Sequence, residues 1–290
     1  MSYQRAYELI FTDKFGLTTI FDQDADKPGL AIEFNIQKNI TRQPNQSTIR
    51  IYNPARDTIA SLQKEGVVTL RAGYDGDIAT IFVGSKEQMN YIDDGATKSI
   101  ELVCLEGTAS HKDLTFAKNY FPGVTNAFIV QDLLIHLIAS VPSINQQNLF
   151  SILSFTTYTQ KQVVYGNAFD LLEQFLAKDE YQYFVNNGVI TIIPTSGFIK
   201  DQAADIHVGS GMIGSPKPIS ETNADKTVRS GVEIETILNY NLDIGRLVRV
   251  NSDDFFNSFF RIESVNIRGN SFDGEWISNI KAFETNGAAL

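Results

Sequence analysis

The residues able to carry chemistry in this chain of 290 residues are few and scattered. His111, His136 and His207 stand far apart, and none sits in an H-E-x-x-H or Cys/His arrangement. A zinc site needs several such ligands at set spacings, so this distribution favours structural or solvated roles. Asp93-Asp94 and Asp253-Asp254 are acidic pairs within turn-like segments. Glycoside hydrolysis needs two carboxylates facing each other across a cleft in unlike environments, which neighbours on one turn do not supply. Aspartate bonding its own backbone explains both pairs better. Gly209-Ser210-Gly211, with Gly214 beyond, lacks the Gly-Lys-Ser/Thr ending of a phosphate loop. Ser85 and Ser99 follow no nucleophile-elbow pattern. Cys104, the one cysteine, falls in the apolar run LVCL and reads as a buried, inert thiol. Trp276 has alternating neighbours and reads as a core or interface aromatic. No catalytic set, cofactor site or metal site emerges, and no enzyme is expected.

Composition narrows the class further. With 43% hydrophobic and 20% charged residues, the chain is expected to fold around a core rather than remain disordered. The formal charge of −10 argues against a surface built to grip nucleic acid phosphates. One cysteine permits no intrachain disulfide. MSYQRAYELIFTD lacks the apolar core of a signal peptide, and no stretch approaches the ~20 apolar residues of a membrane helix. The expectation is a protein made in the cytoplasm, with no membrane insertion.

The elements that would position any site are mostly strands. Ile32, Phe34 and Ile36 alternate with Glu33, Asn35 and Gln37, the period of a strand with one dry face. Thr48 to Tyr52, Val67 to Ala72, Ile78 to Val83, Gln88 to Ile92 and Ser99 to Leu105 read as further strands. Gln43-Pro44-Asn45, Tyr74-Asp75-Gly76-Asp77 and Asp93-Asp94-Gly95 separate them as turns. Tyr7 to Phe11 and Leu17 to Phe21 read as a hairpin about Gly16. A short helix interrupts the strands; Asn53 and Pro54 are expected at its start and Gly66 at its stop. This first unit covers residues 1–107.

The period changes after Gly107. Asn126 is expected to cap a helix over Ala127 to Ser140, with Val130, Leu133, Leu134, Leu137 and Ile138 on one stripe and Pro142 preventing continuation. Gln146 to Tyr158 reads equally as strand or loop. A second helix is expected over Asn167 to Lys178. Asn187-Gly188 between two β-rich runs is a strong hairpin signal. These elements make a small α/β insert, residues 108–200. From 201 to 290 the pattern is β again, with strands over Val232 to Leu238, Arg246 to Val250, Phe259 to Arg268 and Glu275 to Phe283.

Two stretches carry a family resemblance. PNQSTIRIYNPARDTIASLQKEGVVTLRAGYDGDIATIFVG resembles the first domain of phage baseplate hub proteins through Pro44, Asn45, Ile49, Ile51, Tyr52, Asn53, Leu70, Ala72, Gly73, Tyr74, Gly76, Ile81, Phe82 and Gly84. The run from GMIGSP to NIKAF resembles the closing domain of the same family. It does so through Gly211, Ile213, Gly214, Pro216, Gly231, Val232, Leu238, Asn239, Gly245, Val248, Arg261, Ile262, Val265, Gly269, Gly274, Trp276 and Ala282. Asn270 stands where an acid is usual and Ile267 where a histidine is common. The resemblance implies a mainly β (α+β) fold: two tail-tube-like antiparallel β-barrels or sandwiches joined by the insert. It also implies a structural virion protein acting as the hub of a contractile tail. A homotrimer would join a hexameric tail tube protein to a trimeric spike protein, among other baseplate proteins, while DNA passes through the lumen without specific binding.

The acidic balance fits two descriptions: a solvated surface kept soluble by charge, and a channel wall that repels DNA. The same resemblance leaves open a phage-derived injection machine, either a tailocin or a secretion device. A baseplate peptidoglycan hydrolase would need a paired acid or Cys/His set, and a carbohydrate-binding sandwich would need a patch of exposed aromatics.

Overall fold

Strands dominate the architecture. The structure, a computed structural model, describes residues 4–24, 26–40, 45–106, 114–141, 143–144, 146–149, 156–222, 228–252, 255 and 258–285. His111, Asp253, Asp254 and Pro142 lie outside them, as do Gln43-Pro44 and residues 150–155 of the stretch whose class the sequence leaves open.

The chain opens with the hairpin β1 (Arg5–Asp13) and β2 (Thr18–Gln23), turning where Gly16 takes a positive φ of 82°. Then follow β3 (Ile32–Asn39), β4 (Gln46–Tyr52), helix α1 (Arg56–Leu62), β5 (Gly66–Tyr74), β6 (Asp77–Asp93) and β7 (Lys98–Leu105). Two strands expected over Ile78–Val83 and Gln88–Ile92 are one strand of 17 residues, β6. Glu87 is an extra residue between the pairs Lys86↔Cys104 and Gln88↔Val103, a β-bulge that breaks the alternation without ending the strand.

The start of α1 differs from expectation. Its N-cap is Ala55, with no side-chain cap bond. Asn53 instead takes φ 47° and accepts a bond from the Lys98 amide at 3.3 Å, fastening the turn to β7. Gly66 is not a helix stop but the first residue of β5. A Cβ there would lie 2.6 Å from the Phe11 ring, so close strand approach requires glycine. The other end of α1 is held by the Lys86 ammonium, which donates to the Leu62 and Gln63 carbonyls at 2.8 and 3.1 Å.

The insert holds β8 (Thr115–Tyr120), α2 (Asn126–Ser140), β9 (Gln146–Leu149), β10 (Gln162–Asn167), α3 (Ala168–Ala177), β11 (Tyr181–Asn186) and β12 (Val189–Pro194). Thr125, not Asn126, caps α2. Asn126 is buried and donates to the Phe175 carbonyl (2.7 Å) and the Asp179 carboxylate (2.5 Å), tying α2 to the end of α3. Val130, Leu133, Leu134 and Leu137 are buried as the stripe requires, and Ile138 packs at its margin. Asn167 caps α3 through its side chain. Asn187-Gly188 makes the expected hairpin, both residues at positive φ, and β9 adds to it as a parallel edge. The pair β8–β10 was not legible in sequence.

The last part contains β13 (Ile199–Ile206), β14 (Met212–Thr222), β15 (Val228–Ile237), β16 (Arg246–Val250), β17 (Ser258–Asn270) and β18 (Trp276–Phe283). GMIGSP leads into a long strand, β14. It and β13 are additions to the strands expected here.

Strands from both ends of the chain form one sheet of 13 strands. Its main path runs β14-β15-β18-β17-β3-β4-β7-β6-β5-β1-β2, with β16 beside β17 and β13 beside β16. All described pairings within it are antiparallel except β13–β16. The sheet curls, so its far end returns to the middle. Arg5 donates to the Asn270 and Gly274 carbonyls at 2.6 Å each, and Gln23 to the Ser271 carbonyl at 3.2 Å. Inside the curl lies a core running from Tyr7 and Phe82 to Ile262 and Ile280, joined by Phe184 and Ile193 of the insert hairpin. The remaining apolar residues of the insert pack into a second cluster.

Candidate assembly interface

The residues singled out for chemistry are not brought together. His136 lies on α2 with its ring edge-on to Phe116, centroids 5.4 Å apart. His207 starts a 3-10 turn over Val208–Ser210, its Nδ1 accepting from the Gly209 amide at 3.0 Å. Gly211 ends that turn at φ 92°, where a Cβ would lie 2.5 Å from Ile237, so the glycine-rich run is accounted for by backbone needs. Asp93 accepts from the Gly95 amide in the β6–β7 turn. Ser85 and Ser99 are buried in β6 and β7. Burial pushes the Cys104 thiol up to about 12. Trp276 is buried edge-on to Phe34, and its Nε1 donates to the Gly73 carbonyl at 3.1 Å. Among the described residues, no group of three or more His, Cys, Asp or Glu is placed to hold a metal ion, and no helix is long and apolar enough to cross a membrane.

Instead, the structure concentrates ionisable groups at one seam. β3 pairs with β17 over seven residue pairs from Asn39↔Ser264 to Asn270↔Glu33, joining the first and last parts of the chain. Beside it Lys38, 2% exposed, bonds Asp243 at 3.2 Å and the Asn187 side-chain oxygen at 3.1 Å. Asp243 also accepts from Asn186 at 2.7 Å. Glu106 is wholly buried, accepting from the Asn187 amide and from Asn45 at 3.1 Å. Burial pushes its carboxyl up to about 7; the Lys38 charge and both hydrogen bonds pull the other way. At the same end of the seam, one residue beyond the Asn39↔Ser264 pair, Glu263 bonds both Arg229 and Arg261. Burial raises its pKa, but those bonds outweigh burial and hold the carboxyl below the usual range. Arg261 in turn donates to the Thr195 and Gly197 carbonyls at 2.8 Å. Two charged clusters therefore clamp the insert to the seam. Sequence reasoning missed them because their members lie up to about two hundred residues apart. Their one local sign was Asn187-Gly188, read only as a turn.

The seam joins two copies of one strand arrangement. The order β3-β4-β7-β6-β5-β1 is matched by β14-β15-β18-β17-β16-β13. Register matches too. Val67↔Ser85 and Ser85↔Leu105 correspond to Leu247↔Arg261 and Arg261↔Phe283, while Thr48↔Val103 corresponds to Glu233↔Lys281. Both long strands carry one extra residue at the same step, Glu87 in β6 and Glu263 in β17. The halves differ where β1 runs antiparallel to β5 but β13 parallel to β16, and in β2, which has no counterpart among the described strands. Edges left open in the described pairings of this sheet include the outer sides of β14, β2 and β13, and β6 from Gln88 to Asp93 opposite β7. Such edges are templates for another chain.

Comparison with known proteins gives the fold a setting. No protein-family model matches the chain, and no curated protein does. Solved structures match along nearly its whole length. A tail protein from Neisseria meningitidis MC58 superposes with a TM-score of 0.62 at 8% identity, covering 97% of each chain. The 43 kDa tail protein of prophage MuSo2 from Shewanella oneidensis gives 0.61 at 10% identity, covering 95% of this chain and 98% of that one. The fold is that of phage tail proteins. A third match, E. coli c3393, is a component of the type VI secretion system described as similar to the T4 tail proteins gp27 and gp5. It gives 0.61 at 12% identity, covering 88% of this chain and 73% of that one.

Proposed function

We propose that this chain is a structural, non-enzymatic protein of a phage tail, serving as the baseplate hub. Three copies form a ring that seats the hexameric tail tube protein on one face and the trimeric spike protein on the other. The chain divides into a first tube-like unit (1–107), the α/β insert (108–200) and a second tube-like unit (201–290). One observation carries this reading: the same strand order, register and bulge occur twice in one polypeptide. Three such chains present six similar units, so a threefold body meets a sixfold one without a symmetry mismatch. The unrepeated parts, the insert and β2, are then what a threefold spike can read. The net charge of −10 supports a lumen through which DNA slides without sticking. In this reading the protein resides in the virion tail beside other baseplate proteins.

Native mass spectrometry of the purified chain, alone and with tube and spike proteins, tests the proposal. Three copies per particle are expected. A particle holding one or two copies in the presence of both partners overturns it. The likeness to a type VI secretion component supports a second setting, the hub of a phage-derived injection machine, with the same ring. Recovery of the chain in particles free of DNA selects that setting.

A further inference from the structure

We propose that neighbouring copies of this chain join by antiparallel pairing of the outer edge of β14 with the open edge of β6 between Gln88 and Ile92, in the register that β3 keeps with β17. The inference rests on the homotrimer reading above and supplies its contact at residue level.

The internal repeat supplies both strands of this contact. β3 corresponds to β14, and β17 corresponds to β6. Within one chain β3 pairs with β17. In the described pairings the counterparts of these two strands lack the matching partner. β14 pairs only with β15, whereas β3 pairs with both β4 and β17. From Gln88 to Asp93, β6 pairs only with β7, whereas the matching stretch of β17 pairs with both β18 and β3. Each chain thus carries one filled seam and one open half of the same seam at each end of the repeat. Joining β14 of one copy to β6 of the next reproduces the filled seam between molecules. The contact is head-to-tail, and a closed ring leaves neither β14 nor this stretch of β6 unpaired.

The register can be read off. Asn35↔Arg268, Ile36↔Ile267, Gln37↔Asn266, Lys38↔Val265 and Asn39↔Ser264 are the intrachain pairs. Thr48↔Asn35 matches Glu233↔Lys217, which aligns Lys217 with Asn35. The bulge aligns Gln88 with Ser264. The new pairs are therefore Lys217 with Ile92, Pro218 with Tyr91, Ile219 with Asn90, Ser220 with Met89, and Glu221 with Gln88. The Ile40 amide bonds the Glu263 carbonyl at the bulge at 2.9 Å. Its counterpart is the Thr222 amide on the Glu87 carbonyl of the next copy.

The side chains suit a reserved edge. Tyr91 is 59% exposed although it lies in a strand, and its counterpart Ile267 is buried against Ile36 in the filled seam. Pro218 across from Tyr91 keeps that step apolar. It removes one donor from the ladder, and with Lys217 it keeps unmatched strands away.

Cross-linking tests the register. Q88C/E221C places two exposed positions opposite each other across the new seam. Q88C/K217C displaces one of them by four residues, about 13 Å along the strand. The native Cys104 is buried and silent. On oxidation, Q88C/E221C is expected to give a covalent trimer on a non-reducing gel, while the displaced pair and the single variants give none. The mass of the wild-type chain is measured in parallel. A wild-type trimer that the aligned pair fails to lock, or that the displaced pair locks equally well, overturns this seam and leaves the trimer standing. A wild-type chain that stays monomeric with both partners present overturns the trimer reading itself.

Discussion

Glu106 gives the most direct handle on how the insert is held. Its carboxyl lies at 1% exposure between Asn45 and the Asn187 amide, and burial raises its pKa from the ordinary 4.5 to about 7. The sign follows from proton binding. Below about pH 4.5 the folded and unfolded chains both hold the proton, and the full stability is present. Between about 4.5 and 7 the unfolded chain releases it while the folded chain keeps it, so stability falls as pH rises. Above about 7 both have released it and the loss is complete. At about 1.4 kcal/mol for each tenfold change in proton concentration, the loss across that window is on the order of 3 kcal/mol. Glu106→Gln cannot ionise, so this component disappears from the pH dependence, whatever the amide costs beside Asn45. The assay is urea unfolding of wild type and E106Q at pH 5, 6, 7 and 8, with protein concentration fixed because an oligomer's stability depends on it. The difference between the two proteins is expected to change steadily from pH 5 to 7 and level off by 8. Parallel profiles refute the assignment of a raised pKa to this buried carboxyl.

Further outcomes follow from the same seam. Lys38→Met leaves Asp243 and the Asn187 side chain without their buried cation and is expected to cost about 3–5 kcal/mol in urea unfolding, while K38M together with D243L recovers much of it. Trp276→Phe keeps most of the ring contact with Phe34 but removes the Nε1 bond to the Gly73 carbonyl, at a cost of about 0.5–1.5 kcal/mol in the same assay. Gly269→Ala puts a Cβ 2.2 Å from the Phe34 ring and is expected to lower the thermal midpoint through an overpacked seam, by about 1–3 kcal/mol in stability. Asn187→Ala places alanine at φ 51° and removes the Lys38 contact, so increased amide hydrogen exchange is expected in the β11–β12 hairpin.

What the sequence by itself determined were the elements whose causes are local. Alternation of apolar residues fixed most strands of the first unit, because burial on one face repeats every second residue. The positive-φ preference of Gly16 and Asn187-Gly188 fixed two hairpins, and the Asn167 side chain fixed the start of α3. The motifs in both end segments pointed to a tail-protein fold, which the superpositions bear out. Where two local signals competed, the sequence misled. Asn53 and Asn126 both look like helix caps, but tertiary partners claimed them, β7 for one and the end of α3 for the other. The Glu87 bulge hid the continuity of β6, since one inserted residue resets the alternation without breaking the ladder. Only the tertiary structure decided that the two end segments share one sheet, that β3 chooses β17, and that Lys38, Glu106 and Asp243 meet beside that choice. Strand pairing is a contest among edges distant in sequence. Its outcome depends on which edge reaches which first and buries more, and no window of neighbouring residues records that.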